Sequence, residues 1–203
     1  STLLNWSMQD LADLRVVHLP QRYQQLSQAL WQDEQRIMFR AIKPAQGCYF
    51  YRQQIQPKTE PPESLWPCQQ VLSQGMARWQ DQWLWLDVDT DNHTQLWAGV
   101  PGAEASLLQT LVNDWRALEH ILVTDNTLYM LAQETQNNSV LFKLELPDGT
   151  PELVSRFPFV VNQFSWWENS QLLLAPQNQE LQILDLPSLS RQGLGPLTRD
   201  LTQ

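Results

Sequence analysis

The chain has 203 residues, 42% of them hydrophobic, ten of them Trp, and a formal net charge of -9. That is enough apolar material for one large all-β domain or two small ones, and an acidic surface repels phosphate backbones, which argues against direct nucleic-acid binding by this segment. The sequence holds neither a run of about 18 apolar residues nor a charged stretch leading into a short apolar one, so membrane attachment is expected only through a segment outside it. A chain that opens on Ser1 is expected to be excised from a longer protein.

Taken in chain order, residues 1–13 and 21–30 have compositions that admit short helices. Between them Leu14 to Pro20 reads as a strand, with the pattern found again at Leu181 to Pro187. It looks like the tail of a partial copy of a repeat, over residues 1–24. Four fuller copies follow, over about residues 25–69, 70–114, 115–159 and 160–198, and a self-similarity of this length signals a repeat architecture. Each opens with a strand, an acidic tight turn and a second strand. The openings are Ala29 to Asp33 before Arg36 to Phe39, Ala77 to Asp81 before Trp83 to Leu86, Ile121 to Asp125 before Leu128 to Leu131, and Phe164 to Glu168 before Leu172 to Leu174. A third strand follows at Cys48 to Tyr51, Gln95 to Ala98, Val140 to Leu144 and Leu181 to Leu186. A more polar fourth strand closes most copies, as at Ser106 to Gln109 and Glu152 to Ser155.

Trp83 to Leu86 and Leu128 to Leu131 are apolar at every position. A strand without alternation is covered on both faces, as happens when small antiparallel sheets stack face to face. The expected fold is therefore all-β, a propeller-like array of about four to five four-stranded antiparallel blades. The alternative is a β-sandwich, whose strands alternate more cleanly.

Few residues carry a chemical signal. Asp87, Asp89 and Asp91 form a D-x-D-x-D run like the start of a calcium loop. Its sixth position is Asn92 rather than Gly, and its twelfth is Ala98 rather than Glu, so hairpin-turn chemistry is the preferred reading. Cys48 and Cys68 fall on the third and fourth strands of one copy, and either a disulfide or two buried thiols fits. Asp33, Asp81, Asp125 and Glu168 recur at one place in the repeat and read as turn residues. His18, His93 and His120 lack ligand spacing. No nucleophile elbow, phosphate loop or dinucleotide fingerprint is present, and no cofactor or metal is expected. Trp31, Trp79 and Trp166 share a repeat position and read as core, as do Trp83 and Trp85. Trp66, Trp97, Trp115 and Trp167 are the freer rings, and with the Asp run they are the candidates for ligand or partner contact.

Trp31-Gln32-Asp33, Trp79-Gln80-Asp81 and Trp166-Trp167-Glu168, followed by strands such as Leu181 to Pro187, resemble the TolB/WD40-like propeller repeat, although the Pro and Gly of that motif are absent from every copy. The match covers about residues 25–190. The Gln- and Trp-rich character is similar to bacterial envelope proteins in which such propellers form the periplasmic C-terminal half of membrane-anchored winged-helix regulators resembling the CadC/ToxR group. That resemblance implies a non-catalytic sensory domain in the periplasm, not an enzyme, with a protein or small-molecule signal as its partner and a homodimer as a natural arrangement. The other readings are an envelope scaffold of TolB type, an accessory propeller of a hydrolase, and a cytoplasmic interaction module.

Overall fold

The computed structural model describes residues 2–5, 15–18, 23, 25–26, 29–55, 61–68, 75–91, 93–111, 117–168 and 170–195, and these form strands and turns with no helix among them. Strands β1 (Thr2–Asn5) and β2 (Arg15–His18) pair antiparallel, with Leu3 opposite Val17. The helix expected in residues 1–13 is thus a strand at its start, because the Val-rich partner supplies backbone hydrogen bonds that a short isolated helix cannot match.

Blade 1 runs from β3 (Gln25–Leu26) and β4 (Leu30–Trp31), both on the same edge of β5 (Arg36–Lys43), through β6 (Gly47–Gln54) to β7 (Glu63–Cys68). The second expected helix, at residues 21–30, is replaced by these two short strands. They satisfy an edge of β5 whose peptide groups would otherwise lack partners. Blade 2 is β8 (Met76–Trp79), β9 (Gln82–Val88), β10 (Thr94–Gly99) and β11 (Ser106–Leu111). Blade 3 is β12 (Ala117–Thr124), β13 (Thr127–Thr135), β14 (Asn138–Glu145) and β15 (Glu152–Phe157). Blade 4 is β16 (Val161–Trp166), β17 (Gln171–Pro176), β18 (Gln182–Asp185) and β19 (Arg191–Gly193). Each blade is an antiparallel meander, and the chain is an all-β, propeller-like array. The opening strand β12 lies against both β8 and β16.

Alternation along the middle strands explains their composition. In β9 all of residues 83–87 are buried. Trp83 and Trp85 enter the seam with blade 1, beside Met38 and Phe50. Leu84 and Leu86 enter the seam with blade 3, beside Leu128 and Met130. In β13, Leu131 turns to the third seam, with Leu172, Leu174 and Leu184. A strand whose successive side chains serve two cores is apolar at most positions, and the polar residues it does bury, Asp87 on β9 and Arg40 on β5, are hydrogen-bonded. The outer strands behave differently. β11 and β15 share one pattern, exposed at their start and buried only at the last residue, Leu111 and Phe157. The pairing of third and fourth strands slips at matching places in blades 1 to 3, at Tyr49/Tyr51, Leu96/Trp97 and Leu141/Phe142. Such bulges bend a strand and re-aim its side chains.

One expected equivalence fails. Trp79 is buried against blade 3, where its Nε1 donates to Asn126 Oδ1 at 3.1 Å. Trp166 is 37% exposed, with its ring 6.2 Å from that of Tyr129. Trp79 pairs with Gln82 across residues 80–81, whereas Trp166 pairs with Leu172 across residues 167–171. The longer connection changes the register, and a one-residue slip sends a side chain to the opposite face.

Candidate functional site

Cys48 and Cys68 stand opposite one another on β6 and β7 and are joined by a disulfide, with a Cα–Cα distance of 5.0 Å. The bond ties the end of the outer strand of blade 1 to its neighbour. Two residues earlier on that strand, Trp66 turns inward and is 3% exposed. Its ring stacks on Trp85 at 4.9 Å between centroids and meets Phe50 edge-on at 5.9 Å. Trp97 lies parallel to Trp85 at 6.5 Å.

Gly99, which ends β10, makes this packing possible. A Cβ placed there would lie 2.6 Å from Cζ2 of Trp66 and 3.1 Å from Cη2 of Trp85. Only a residue with no side chain lets the indole rest on the strand. Nε1 of Trp66 then donates to the Ala103 carbonyl at 2.9 Å, fastening the loop between β10 and β11.

Arg40 on β5 holds the same seam from beneath. It is buried, and its Nη2 donates to the carbonyls of Gly75 at 2.8 Å and Leu86 at 2.9 Å. Its guanidinium lies 4.7 Å from the centre of the Phe50 ring. Burial pulls its pKa down to about 10, and the charge of Asp87 works in the other direction. Arg40 therefore stays charged at neutral pH, bonding one blade to backbone of the next.

Above this floor a cleft of about 630 Å³ opens between β7 and the loop at residues 102–105. Trp97, Gln95, Glu63, Asp87, Glu104 and Cys68 contribute to its lining. Gln95 Oε1 accepts from Nε1 of Trp97 at 3.1 Å, which fixes that half-buried ring. Glu63 is held by Arg52, whose Nε donates to Oε2 at 2.9 Å. Asp87 accepts from the Val88 amide at 3.0 Å.

The cleft thus gathers Trp66, Trp97, Asp87 and Cys68 from the residues marked in the sequence. Asp89 and Asp91 are elsewhere, in the hairpin turn after β9. There Asp89 Oδ1 accepts from the amides of Asp91 and His93 at 2.9 and 2.8 Å. These bonds, that of the His93 amide first, hold the Asp89 carboxyl below its usual range. Ligand atoms of Asp89, Asp91 and His93 lie within 4.8 Å of one another, and the group is mostly exposed. The twelfth position of the Asp run, Ala98, is a buried residue of β10. The run is therefore a hairpin connection with its first Asp turned into a seam.

Trp167 is 38% exposed beyond β16, and Trp115 lies outside the described residues. The recurring carboxylates sit at turns. Asp33 accepts from the Gln35 amide at 2.9 Å and Nε of Arg36 at 2.7 Å, and Asp125 has a φ of 50°. His120 is buried, edge-on to Phe164 at 6.4 Å. Gly99, Arg40, Trp85 and Glu104 were not singled out from sequence as site residues. Two signals were nonetheless available, a lone Gly at the end of a strand pattern and a lone Arg inside the apolar run of β5.

No family model matches the chain, and no curated protein matches it. Among solved structures it is similar to AtxE2 isopeptidase in its apo form, at 13% identity and a TM-score of 0.45, over 98% of this chain and 39% of that one. It is similar also to a variant of that isopeptidase with Astexin3-dC4 bound, at 13% identity and a TM-score of 0.45, over 89% of this chain and 35% of that one. The chain therefore spans less than two fifths of the length of those proteins. A likeness of this extent carries no argument about activity.

Proposed function

We propose that this chain is a non-catalytic sensory or interaction domain, working in the periplasm as the signal-sensing part of a membrane-bound transcriptional regulator. The observation that carries the sensing role is the preformed cleft between blades 1 and 2. Its wall and floor come from different blades, and its shape is set by stacked rings, a buried Arg and a disulfide rather than by loose loops. A site built across a seam couples occupancy to blade spacing, and a ligand biases such a seam by its differential affinity for two spacings. The Cys48–Cys68 bond supports an oxidising compartment. The regulator itself rests on the resemblance of the repeat.

A thiol count on protein recovered from its native cells, denatured without reductant, tests the compartment. A blocked pair is expected. Two free thiols would move the domain to the cytoplasm as an interaction module. The regulator is tested separately by the complete gene, which is expected to encode a winged-helix domain and one membrane helix upstream. The envelope-scaffold reading is favoured by the adjacent exposed rings of Trp166 and Trp167, at 37% and 38% exposure, since exposed Trp is enriched at protein contacts.

A further inference from the structure

The charges around the cleft identify the chemistry of its ligand. Among the described residues every ionisable side chain lining it is acidic, namely Glu63, Asp87 and Glu104, apart from the disulfide-bonded Cys68. Two of these charges are balanced from behind the wall, Glu63 by Arg52 and Asp87 by Arg40. Glu104 is exposed on the roof and has no ion pair among the described residues. Among the described residues Glu104 is therefore the lining carboxylate without an ion pair, on a chain whose formal net charge is -9. Below it Trp66 and Trp85 are buried, and Trp97 is the half-buried ring that offers surface.

An indole face attracts a cation through its quadrupole, and the attraction grows as water is removed. Anions are repelled by the roof and by the net charge of the chain. The volume, about 630 Å³, is in the range of sites for drug-sized molecules. Addition of a peptide strand along the open edge of β7 is opposed by Pro67, which has no N–H to donate.

We infer that the cleft takes a small organic cation with an apolar body, an aryl- or alkylammonium compound, held between the Trp97 ring and the Glu104 carboxylate. This rests on the reading of the cleft as the ligand site, and the test separates the two. The probes are 2-phenylethylammonium, the uncharged 2-phenylethanol and the anion phenylacetate, titrated calorimetrically into the whole chain at low salt. The cation is expected to bind saturably at one site, about tenfold or more tighter than the alcohol, with phenylacetate weakest. Glu104→Gln should remove most of that preference and leave the alcohol unchanged. Trp97→Ala should abolish binding of the cation. Trp97→Phe, which keeps a ring in a smaller volume, should retain weakened binding and so guards against loss of fold. An alcohol that binds as tightly as the cation, or a preference untouched by Glu104→Gln, overturns the ligand assignment and leaves the site standing. No saturable binding of any of the three probes overturns the site itself.

Discussion

Adding one methyl group at Gly99 should disturb the whole seam between blades 1 and 2. The Cβ of Gly99→Ala would sit 2.6 and 2.7 Å from two atoms of the Trp66 indole and 3.1 Å from Trp85. Carbon atoms pack comfortably at about 3.5–4.0 Å, so the Trp66 ring must retreat by about 1 Å. It cannot do so freely, being stacked on Trp85 at 4.9 Å and hydrogen-bonded to the Ala103 carbonyl. Overpacking of this kind costs about 1–3 kcal/mol, and losing the indole hydrogen bond about another 1 kcal/mol. Removing a Gly from the unfolded chain returns about 0.5–1 kcal/mol. The net destabilisation is then about 1–3.5 kcal/mol. For a domain of this size each kcal/mol lowers the melting temperature by about 2–4 °C, so a fall of roughly 2–14 °C is expected. Near-ultraviolet circular dichroism should change with it, because the stacked Trp66–Trp85 pair is disturbed. Gly102→Ala is the control, since there the added Cβ meets nothing within 4 Å and any cost comes from the φ of +97°. A Gly99→Ala protein that melts with the wild type and keeps its aromatic spectrum would refute the proposed packing of Trp66 on β10.

Trp85→Ala should cost about 3–5 kcal/mol in urea denaturation, as the ring is 1% exposed and central to the seam; a near-neutral result would show that β9 is not covered on both faces. Replacing Cys48 and Cys68 together by Ser should cost about 3 kcal/mol, the chain-entropy value for the 20-residue separation; unchanged stability would mean that the strand pair holds itself together. Burial lowers the pKa of His120 below its usual 6.5. The unfolded chain therefore binds a proton first as pH falls, and stability is complete above about pH 6.5 and declines below it. Denaturation midpoints measured from pH 7.5 to 5 should show this decline, and His120→Gln should reduce its slope; an identical slope in the variant would assign the loss to other groups.

The doubly covered strands were legible because each residue of Trp83 to Leu86 carries the signal by itself. The disulfide was half legible. Strand assignment put Cys48 and Cys68 on neighbouring strands, but only the register sets them opposite one another. The cleft was hidden for a different reason. Trp66 comes from β7, and Trp85 and Trp97 from the next blade, so their meeting depends on how blades stack rather than on any local pattern. The exposure of Trp166 was misread because the face a residue takes depends on the length of the adjoining turn, and sequence motifs aligned on Trp conceal that difference. Where residues 1–13 and 21–30 are described, at Thr2–Asn5, Gln25–Leu26 and Leu30, strands stand in place of the helices that composition admitted, because composition says nothing of the strands waiting to pair with them.

The sharing of each middle strand between two seams has a mechanical consequence. A strand backbone is stiff across its own thickness, so β9 cannot shift its Trp83 and Trp85 side without shifting its Leu84 and Leu86 side. Whatever pries open the first seam is delivered to the second as a displacement of its wall, and through β13 to the third. The blades are coupled in series, like plates bolted face to face, and a push between the first two is felt at the far end with no dedicated wire between them.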